Sequence, residues 1–428
     1  MKIKTLNKTY QEVSALVPKK AQKPKKPSLF FRTLLKLVSL PDVLATRFSY
    51  RKIGMERLGK KEPCFYLMNH SSFVDLEAAV TMIYPRPVNI IATTDAFVGK
   101  NWLMRHLGCF PTQKFVSNIG TFFDVKLCLG KLKSSVLMFP EAGYSFDGTA
   151  TVLPDNLGSL LKKLGVPLVM IRTYGAFSRD PLYNNLQRRK VRVSAEMEYL
   201  LSPDEIAEKS EAELQAIIEA QFTFDNFRWQ KENGVKISEP FRADMLHRVL
   251  YKCPHCLSEG KMEGRGVHLS CHACGKTYTL SEYGELIAEE GESAFSFVPD
   301  WYAWERQEVR RELDAGSYKM DVPVKIAMLI DTKALYFVGE GRLTHKESEG
   351  FHLSGCDGAL DYIQKPHSTY TLNADYNWYE IGDVIGIGDN KALYYCFPQK
   401  DTYLVTKARL ATEEIYKRIK ESKEKEAK

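Results

Sequence analysis

The sequence predicts an α/β domain, then a small cysteine-bearing module, then a C-terminal, mainly-β domain closed by a helix. Between residues 63 and 200, β-rich runs alternate with helix-like segments, which is typical of an α/β domain with a largely buried sheet. Two C-x-x-C pairs follow within residues 253–274. Residues 322–406 then contain short apolar runs broken by turn residues, a pattern that favours a small β-sandwich or barrel.

The length of the chain supports several domains. At 428 residues it is too long for one ordinary core, and its hydrophobic content of 44% and charged content of 26% are ordinary for a folded protein. We therefore divide it into a basic N-terminal segment with amphipathic helices, the α/β domain, the cysteine module and the β-rich domain. The expected bounds are residues 1–54, 55–235, 245–285 and 300–428.

The positive charge of the chain is concentrated at its N-terminus. The formal net charge is +7, but residues 1–61 contain sixteen Lys or Arg against three acidic residues and so carry +13. The remainder carries −6. A basic arm on a mildly acidic body predicts an anionic surface as partner, either lipid or nucleic acid.

The basic arm also contains an amphipathic pattern. Residues 19–27 are Lys/Pro-rich and are predicted to be a linker that does not pack. We expect a helix to follow, to end at Pro41, and to be succeeded by a second one over 42–48. A short basic helix with an aromatic-rich apolar face suits the headgroup–acyl boundary of a membrane; the alternative is that this face packs on the core of the protein itself. The apolar face consists of Phe30, Phe31, Leu34, Leu35, Leu37 and Val38.

The alternating elements of the α/β domain can be placed approximately. A polar stretch over residues 203–233 is expected to form one long surface helix. Helices are predicted near 75–84, 121–133 and 154–164. The predicted strands are Cys64–Met68, Val88–Thr93, Ser135–Phe139, Val166–Arg172 and Val191–Met197.

A histidine and an aspartate follow the first of these strands. His70 comes directly after the strand, where α/β sheets usually place ligands, and Asp75 lies in the first turn of the next helix. A carboxylate in that position can reach back to the imidazole, fix its tautomer and stabilise its charged form. The segment Ser72-x-x-Asp75 is also a helix capping box, which needs no catalysis to explain it.

Four blocks of sequence strengthen the catalytic interpretation. Residues 69–75 (NHSSFVD) resemble the first block of the glycerolipid acyltransferase family, which includes lysophosphatidic-acid and glycerol-3-phosphate acyltransferases. Residues 107–114 (LGCFPTQK), 139–145 (FPEAGYS) and 165–169 (GVPLV) resemble the next three blocks, in the order of the family. The resemblance covers about residues 55–200, under half of the chain.

The resemblance implies a reaction and a set of site residues. His70 would act as general base on an acceptor hydroxyl and Asp75 would orient it, so that the alkoxide attacks the thioester of an acyl-CoA or acyl carrier protein. Acyl carrier protein would then be a protein partner. The acceptor would be a lysolipid or a glycerol-phosphate-like molecule. Its binding residues would come from the same blocks: Asn69, Lys114, Glu141, Gly143 and Tyr144.

Two of the blocks depart from the family pattern. Lys114 stands where the family usually has arginine, and Ala142-Gly143-Tyr144 replaces Gly-Thr-Arg. Because arginine grips a phosphate with two hydrogen bonds and tyrosine has no charge, the anion clamp is weakened. We expect either that the acceptor is not plain glycerol 3-phosphate or its lyso ester, or that another cation substitutes. The candidates for that substitution are Lys131, Lys133 and Arg172.

The cysteine pairs predict a structural metal site. Fourteen residues separate the second cysteine of one pair from the first of the next, and four thiolates at such spacing form a closed tetrahedral Zn²⁺ site. The alternative is four reduced, metal-free core cysteines. A zinc ribbon can also touch nucleic acid, but residues 257–280 carry few charges, so we expect no nucleic acid and instead a clamp for the β domain or a docking site for a protein. The ligands are Cys253, Cys256, Cys271 and Cys274.

The C-terminal residues predict strands followed by a last helix. The apolar runs begin near Val324 and include residues 402–407, and the helix is expected over about 407–421. Seven or so strands closed by a C-terminal helix is the layout of pleckstrin-homology-like folds, an analogy of layout alone.

Cysteine usage and hydropathy predict the location. Paired thiols in a Lys-rich chain without a signal peptide favour the reducing cytoplasm, and no stretch approaches the roughly 20 apolar residues that cross a bilayer. We therefore expect an acyltransferase at the inner face of the cell membrane, bound peripherally to anionic lipid. The alternatives are a catalytically inactive lipid-binding or scaffolding protein on the same fold and, last, a nucleic-acid-binding zinc protein.

Overall fold

The N-terminal segment contributes to two different parts of the molecule. The computed structural model describes residues 2–17, 22–115 and 119–426 of the chain. A short strand and a short helix join the C-terminal sheet, whereas a longer helix packs on the α/β domain. These elements are β1 (Thr5–Asn7), α1 (Tyr10–Ser14) and α2 (Leu29–Ala45).

The α/β domain is built on a seven-stranded mixed sheet covered by helices. Single 3-10 turns at 55–57, 94–97 and 182–184 and a π-helical turn at 127–131 complete its connections. Its elements in chain order are β2 (Ser49–Ile53), β3 (Phe65–Met68), α3 (Val74–Ile83), β4 (Val88–Thr93), α4 (Asn101–His106), β5 (Cys109–Thr112), α5 (Ile119–Lys126), β6 (Ser135–Met138), α6 (Leu157–Leu164), β7 (Leu168–Tyr174), α7 (Ala176–Arg179) and β8 (Ser194–Leu201).

The order of the strands brings several chain segments to one edge of the sheet. The order is β2-β8-β7-β3-β6-β4-β5. Strands β3 to β7 are mutually parallel, β8 runs antiparallel to β7, and β2 runs parallel to β8. Buried side chains on the two faces belong to two separate apolar clusters, with Tyr66 and Met68 in one and Phe65 and Leu67 in the other. The carboxyl ends of β3, β4, β6 and β7 therefore form one edge, called the carboxyl edge below.

The sheet begins earlier in the chain than the sequence predicts. Strand β2 pairs with β8 from Ser49 to Ile53, which lies before the expected domain start at residue 55. Strand β5 and helix α4 also lacked a prediction. All three elements are short, and a strand of four or five residues has too few positions to show a clear hydrophobic period.

Helix α2 continues through Pro41 instead of breaking there. It begins at Ser28, whose hydroxyl accepts a hydrogen bond from the Phe31 N–H at 3.4 Å, and ends at Ala45. Proline removes one backbone hydrogen bond, but α2 packs along α3, so tertiary contacts stabilise both halves in one helix. The predicted second helix over 42–48 is therefore wrong.

The predicted linker packs where the structure describes it. Residues 19–21 of that prediction lie outside the described residues, but Pro24 and Pro27 are buried. The Asn89 side-chain amide donates to the Lys25 carbonyl at 2.7 Å. Because proline loses little conformational freedom on ordering, such a segment can pack without a large entropic cost. The expectation that it does not pack is wrong for residues 22–27.

Three short helices replace the single long helix expected over residues 203–233. Ser202 and Ser210 each cap a new helix, in capping boxes with Glu205 and Glu213 respectively. A capping box fixes the first turn of a helix, so two boxes eight residues apart specify two helices. The three helices are α8 (Pro203–Glu208), α9 (Glu211–Gln221) and α10 (Asn226–Glu232).

The rest of the chain forms two further sheets and two long helices. A four-stranded sheet in the order β12-β11-β10-β9 holds the cysteine module, after a 3-10 turn at 246–248. Seven strands and α12 form the mainly-β region, as predicted, and β1 adds in parallel to β14. The elements are β9 (Met262–Arg265), β10 (His268–Cys271), β11 (Thr277–Leu280), β12 (Leu286–Ala288), α11 (Val298–Asp314), β13 (Met320–Leu329), β14 (Leu335–Lys346), β15 (Gly350–Gly355), β16 (Leu360–Gln364), β17 (Asn373–Trp378), β18 (Gly382–Gly388), β19 (Leu393–Pro398) and α12 (Leu404–Glu426).

Two parts of this region differ from the sequence prediction. Residues 404–407 begin α12, although the run 402–407 is rich in β-branched and aromatic residues and was expected to be a strand. The segment is helical despite this strand-like composition because its first turns are buried in the core, where Val405 and Ala408 are fully covered. Helix α11 was not predicted, and its Trp301 is completely buried.

One large apolar core joins the three regions. It contains Cys253 and Cys271 of the cysteine module, Trp301 of α11, Phe146 of the α/β domain and Val13 of α1. Packing of this kind is what a clamp between the α/β and β regions requires. Within the residues that the structure describes, no helix combines the length and apolar character needed to span a bilayer.

Candidate active site and metal centre

His70 and Asp75 lie together at the carboxyl edge. Strand β3 ends at Met68, and α3 starts at Val74, so the connecting turn presents His70 beside the first helical turn. The Nδ1 atom of His70 is 3.4 Å from Oδ2 of Asp75. Asp75 is fully buried, whereas the His70 side chain keeps 20% of its surface exposed. A buried carboxylate behind a partly exposed imidazole can orient the ring while leaving its other nitrogen free for a substrate.

Three hydrogen-bond donors hold the Asp75 carboxylate. The backbone N–H groups of Ser71 and Ser72 donate to Oδ2 at 2.6 and 2.9 Å, and the Thr173 hydroxyl donates to Oδ1 at 2.7 Å. The Ser72 hydroxyl accepts from the Val74 N–H at 3.1 Å, so only half of the expected capping box forms. The same carboxylate therefore fixes the turn and faces His70.

Aromatic rings surround the imidazole. The ring centroid of His70 lies 4.3 Å from that of Phe139 and 4.5 Å from that of Tyr144. Both aromatics belong to the turn after β6, which is the third of the resembling blocks. This packing restricts rotation of the imidazole and keeps its orientation relative to Asp75.

Glu141 ties two loops of the site together. Its carboxylate accepts from the backbone N–H of His70 and from that of Thr151, both at 2.8 Å. Burial raises the pKa of Glu141 to about 7, although the two hydrogen bonds act in the opposite direction. Glu141 thus positions the histidine backbone, and it can titrate near neutral pH.

Asn69 joins β3 to β7 beside the turn that carries His70. Its side-chain oxygen accepts from the Thr173 N–H at 2.9 Å, and its amide donates to the Thr173 carbonyl at 3.2 Å. Thr173 was missed by the sequence reasoning, although it directly follows the predicted strand Val166–Arg172. Because carboxyl ends of parallel strands meet at one edge, that position was a usable signal.

Asp180 is a second residue near the candidate site that the sequence did not indicate. The Ser72 hydroxyl hydrogen-bonds to its carboxylate, and the Arg179 guanidinium donates to it at 2.9 Å. Burial raises the pKa of Asp180 to about 6. It directly follows α7, outside the resembling blocks of the sequence, and no sequence feature marks it.

The cations proposed to bind a phosphate lie in different parts of the structure. Lys114 follows β5 and is half-buried. Arg172 points to β8, where its guanidinium pairs with Glu198 at 2.6 Å and with Glu196 at 3.3 Å. The proposed substitution of the missing arginine by Arg172 is therefore wrong, since its charge is already paired elsewhere.

The two lysines before β6 lie at the other end of the sheet. Lys131 and Lys133 precede the first residue of β6, whereas His70 follows the last residue of the parallel strand β3. They cannot replace the missing arginine at the carboxyl edge. Gly143 borders open space, because a Cβ built on it would meet no atom within 4 Å.

The four cysteines of the module lie at the corners of a compact site. The Sγ atoms of Cys253 and Cys274 are 3.7 Å apart, as are those of Cys256 and Cys271. All four sulfur atoms lie within 4.8 Å of one another. A tetrahedron with Zn–S bonds of about 2.3 Å has sulfur–sulfur separations of about 3.8 Å, so the thiolates fit Zn²⁺.

Equivalent backbone hydrogen bonds close the two cysteine turns. The Leu257 N–H donates to the Cys253 carbonyl at 2.9 Å, and the Gly275 N–H donates to the Cys271 carbonyl at 2.8 Å. These bonds fix each turn and so orient its sulfur atoms. A closed set of four sulfurs leaves no position for a substrate, so the site suits a structural ion.

The carboxyl-edge residues fall inside a match to a known family. Residues 49–173 match the family model described as Acyltransferase. This segment includes β2, which the sequence reasoning left outside the domain, and all four resembling blocks.

Two known proteins are similar to part of this chain. A chloroplastic 1-acyl-sn-glycerol-3-phosphate acyltransferase of Brassica napus is 29% identical over 127 residues, which cover 28% of this chain and 36% of the relative's length. The crystal structure of the 1-acyl-sn-glycerophosphate acyltransferase of Thermotoga maritima shares 19% identity with a TM-score of 0.35, covering 45% of this chain and 76% of that one. A score at that level is not evidence of a shared overall fold. The match to the family model and the Brassica relative support the resemblance of part of this chain to glycerolipid acyltransferases.

Proposed function

We propose that this protein transfers an acyl group from an acyl thioester to a hydroxyl of a glycerolipid or lysolipid at a membrane surface. The observation that carries the proposal is the partly exposed imidazole of His70 beside the buried carboxylate of Asp75. The name of the Brassica relative supports an acceptor of the acylglycerol type. The donor would be acyl-CoA or acyl carrier protein.

In the proposed reaction His70 acts as general base. Its Nδ1 faces Asp75, so Nε2 takes the proton of the acceptor hydroxyl, and Asp75 stabilises the imidazolium that results. The distance of 3.4 Å is long for a hydrogen bond, but such contacts often tighten only when substrate is bound.

The proton and electron balance closes without a cofactor in the reaction. The acceptor oxygen attacks the thioester carbonyl and forms the new C–O bond, while the C–S bond breaks. The leaving thiolate then takes the proton from the His70 imidazolium, which restores the neutral base. Glu141 and Phe139 position the histidine during these steps through its backbone and its ring.

The exposed face of α2 supports binding to an anionic lipid surface. Phe30, Leu37, Val38 and Leu44 are 56–71% exposed on this helix. Trp102 of α4 is 66% exposed and extends the apolar area. Apolar side chains next to a segment of net charge +13 suit the boundary of an anionic leaflet, such as the inner face of the cell membrane.

We assign structural roles to the remaining regions. A Zn²⁺ ion held by the four cysteines would stabilise the core that joins the α/β and β regions. Seven strands followed by α12 support a pleckstrin-homology-like architecture for residues 320–426.

The proposal is tested by acyl transfer with a panel of donors and acceptors. We expect labelled acyl-CoA or acyl carrier protein to acylate at least one glycerolipid or lysolipid in anionic vesicles. His70→Ala should lower the rate by about 10²-fold to 10⁴-fold, the usual contribution of a general base. Equal rates for wild type and variant, or no product from any donor, would favour the inactive lipid-binding or scaffolding protein instead.

A further inference from the structure

A buried arginine joins helix α2 to the region of the candidate site. Arg179 is the last residue of α7, and only 5% of its side chain is exposed. Its Nη1 atom donates to Oδ2 of Asp180 at 2.9 Å, and its Nη2 atom donates to Oδ1 of Asp42 at 2.5 Å. Because Asp42 lies on α2 and Asp180 directly follows α7, one guanidinium connects two elements that are far apart in the chain.

Asp180 continues this connection to the turn that carries His70. The Ser72 hydroxyl donates to Oδ1 of Asp180, and the Ser72 backbone N–H donates to Oδ2 of Asp75 at 2.9 Å. The same Oδ2 atom lies 3.4 Å from Nδ1 of His70. An unbroken series of polar contacts therefore runs from α2 to the imidazole.

The residues between the two ends of this series are shielded from water. Arg179 and Asp180 are buried, and Ser72 and Asp75 are completely covered. When one partner of a buried ion pair is removed, the other charge stays buried without compensation, so such a pair is costly to break. The guanidinium also presents its donors in a rigid plane, which gives the two carboxylates bound to it a defined arrangement. Arg179 therefore fixes the position of Asp180 relative to α2.

The α2 end of the series lies next to the surface of the molecule. Val38 and Leu44 flank Asp42 in α2, and both are exposed. The exposed Arg188 also pairs with Asp42, with 3.1 Å between Nη1 and Oδ1. The position of the Asp42 carboxylate thus depends on how α2 is seated on the α/β domain, and Arg179 transmits that position inward.

We propose that Arg179 is a positioning residue that links the seating of α2 to the orientation of His70, and that acyl transfer requires this link. This inference rests on the proposed function, because it concerns the rate of that reaction. Arg179 acts on the imidazole indirectly, through Asp180 and the turn. A general base must lie within hydrogen-bond reach of the hydroxyl, so a small displacement of the turn lowers kcat more than it weakens acceptor binding.

The test measures kcat and KM for acyl transfer to a lysolipid in anionic vesicles, with the full chain. Arg179→Met should lower kcat by about tenfold or more, while KM stays within about twofold of the wild-type value. Arg179→Lys should give an intermediate kcat, because an ammonium keeps the charge between the two carboxylates but not the rigid fork.

A second variant tests the α2 end of the link. Asp42→Ala disrupts less, since Asp42 is partly exposed, and should lower kcat in the same direction. Adding Asp42→Ala to Arg179→Met should cause little further loss, because both substitutions break the same connection. The control is Arg57→Met, which removes an ion pair with Glu205 at 3.0 Å and should leave kcat unchanged.

The results separate this inference from the proposed function. Wild-type kcat in Arg179→Met, a rise in KM alone, or losses that multiply in the double variant would overturn the inference while His70-dependent transfer persists. If Arg179→Met does not fold, a wild-type kcat in Asp42→Ala overturns it equally. Absence of His70-dependent transfer in the wild-type protein would instead overturn the proposed function.

Discussion

Two histidines of this chain, in two regions, have opposite environments. His70 lies at the carboxyl edge with part of its ring exposed and a carboxylate 3.4 Å from Nδ1. His345 lies on β14 in the C-terminal sheet, where its ring stacks on Phe351 at 3.8 Å and its Nδ1 is 2.9 Å from the Tyr318 hydroxyl. Burial lowers the pKa of His345 to about 3, so it is neutral at physiological pH.

The difference extends to the acidic residues of the two regions. At the carboxyl edge, burial raises the pKa of Glu141 to about 7 and that of Asp180 to about 6. In the C-terminal core, Glu413 pairs with Arg306 at 2.6 Å and with Arg409 at 3.2 Å, and these charges lower its pKa. Paired charges thus favour the ionised form of Glu413, whereas burial dominates at Glu141 and Asp180, as is common at functional sites.

Loss of the metal site should have the largest effect on stability. Next to Cys253, the Lys252 backbone accepts from the Trp301 indole at 2.9 Å and donates to Glu305 at 2.8 Å, so the cysteine turns support α11. We expect Cys271→Ser to lower the free energy of unfolding by about 3 kcal/mol or more, with loss of bound zinc. Thermal unfolding and metal analysis check this, with Cys356→Ser, outside the cluster, as control. Full zinc content and unchanged unfolding in Cys271→Ser would contradict the assignment.

The raised pKa of Glu141 predicts a pH dependence of stability. Its folded pKa of about 7 lies above the ordinary value of 4.5, so the folded state binds the proton more tightly than the unfolded state. Its stabilising contribution is therefore present below about pH 4.5 and is lost as the pH rises to about 7, by up to about 3 kcal/mol. Glu141→Gln should flatten this part of the stability profile in chemical denaturation.

The control for this prediction is an exposed glutamate. Glu292→Gln, in the connection before α11, should keep the wild-type slope between pH 5 and 7. A Glu141→Gln profile parallel to that of wild type would show that Glu141 is ionised in the folded state throughout this range.

Substitution of Asp75, the carboxylate that orients His70, should lower the rate of transfer by less than loss of His70 does, without an effect on stability. Asp75→Asn keeps an oxygen for the backbone N–H groups but removes the charge beside His70. We expect kcat to fall by about tenfold to a hundredfold, less than the full contribution of the base. Thr173→Val, which removes only one hydrogen bond to Asp75, should have a weaker effect in the same direction. An equal or larger loss in Thr173→Val would contradict an electrostatic role for Asp75.

The sequence predicted the helices and strands whose hydrophobic pattern lies within a short stretch of the chain. The strand Val88–Thr93 has the predicted bounds, and the predicted helix 75–84 lies one residue from α3. The parallel pairing of Thr5–Asn7 with Leu335–Phe337 joins residues more than 300 positions apart and leaves no local pattern. Helix α11 was missed because its charged residues mask the buried side that carries Trp301.

The candidate site, too, was predictable only where its residues have a local sequence signal. The resembling blocks supplied His70, Asp75 and Glu141, which the fold brings together. Thr173 could have been inferred from its place at a strand end. The contact of Tyr376 with Phe146 could not, because it depends on packing between two distant regions of the chain.

A paired substitution of the two histidines tests the division between chemistry and stability most directly. His70→Gln and His345→Gln are compared for kcat, per folded molecule, and for Tm. We predict that His70→Gln lowers kcat by about 10²-fold to 10⁴-fold with little change in Tm, since the ring is partly exposed. We predict that His345→Gln lowers Tm by about 5 °C or more at wild-type kcat, since it disrupts a buried stack. Wild-type kcat in His70→Gln would contradict the account.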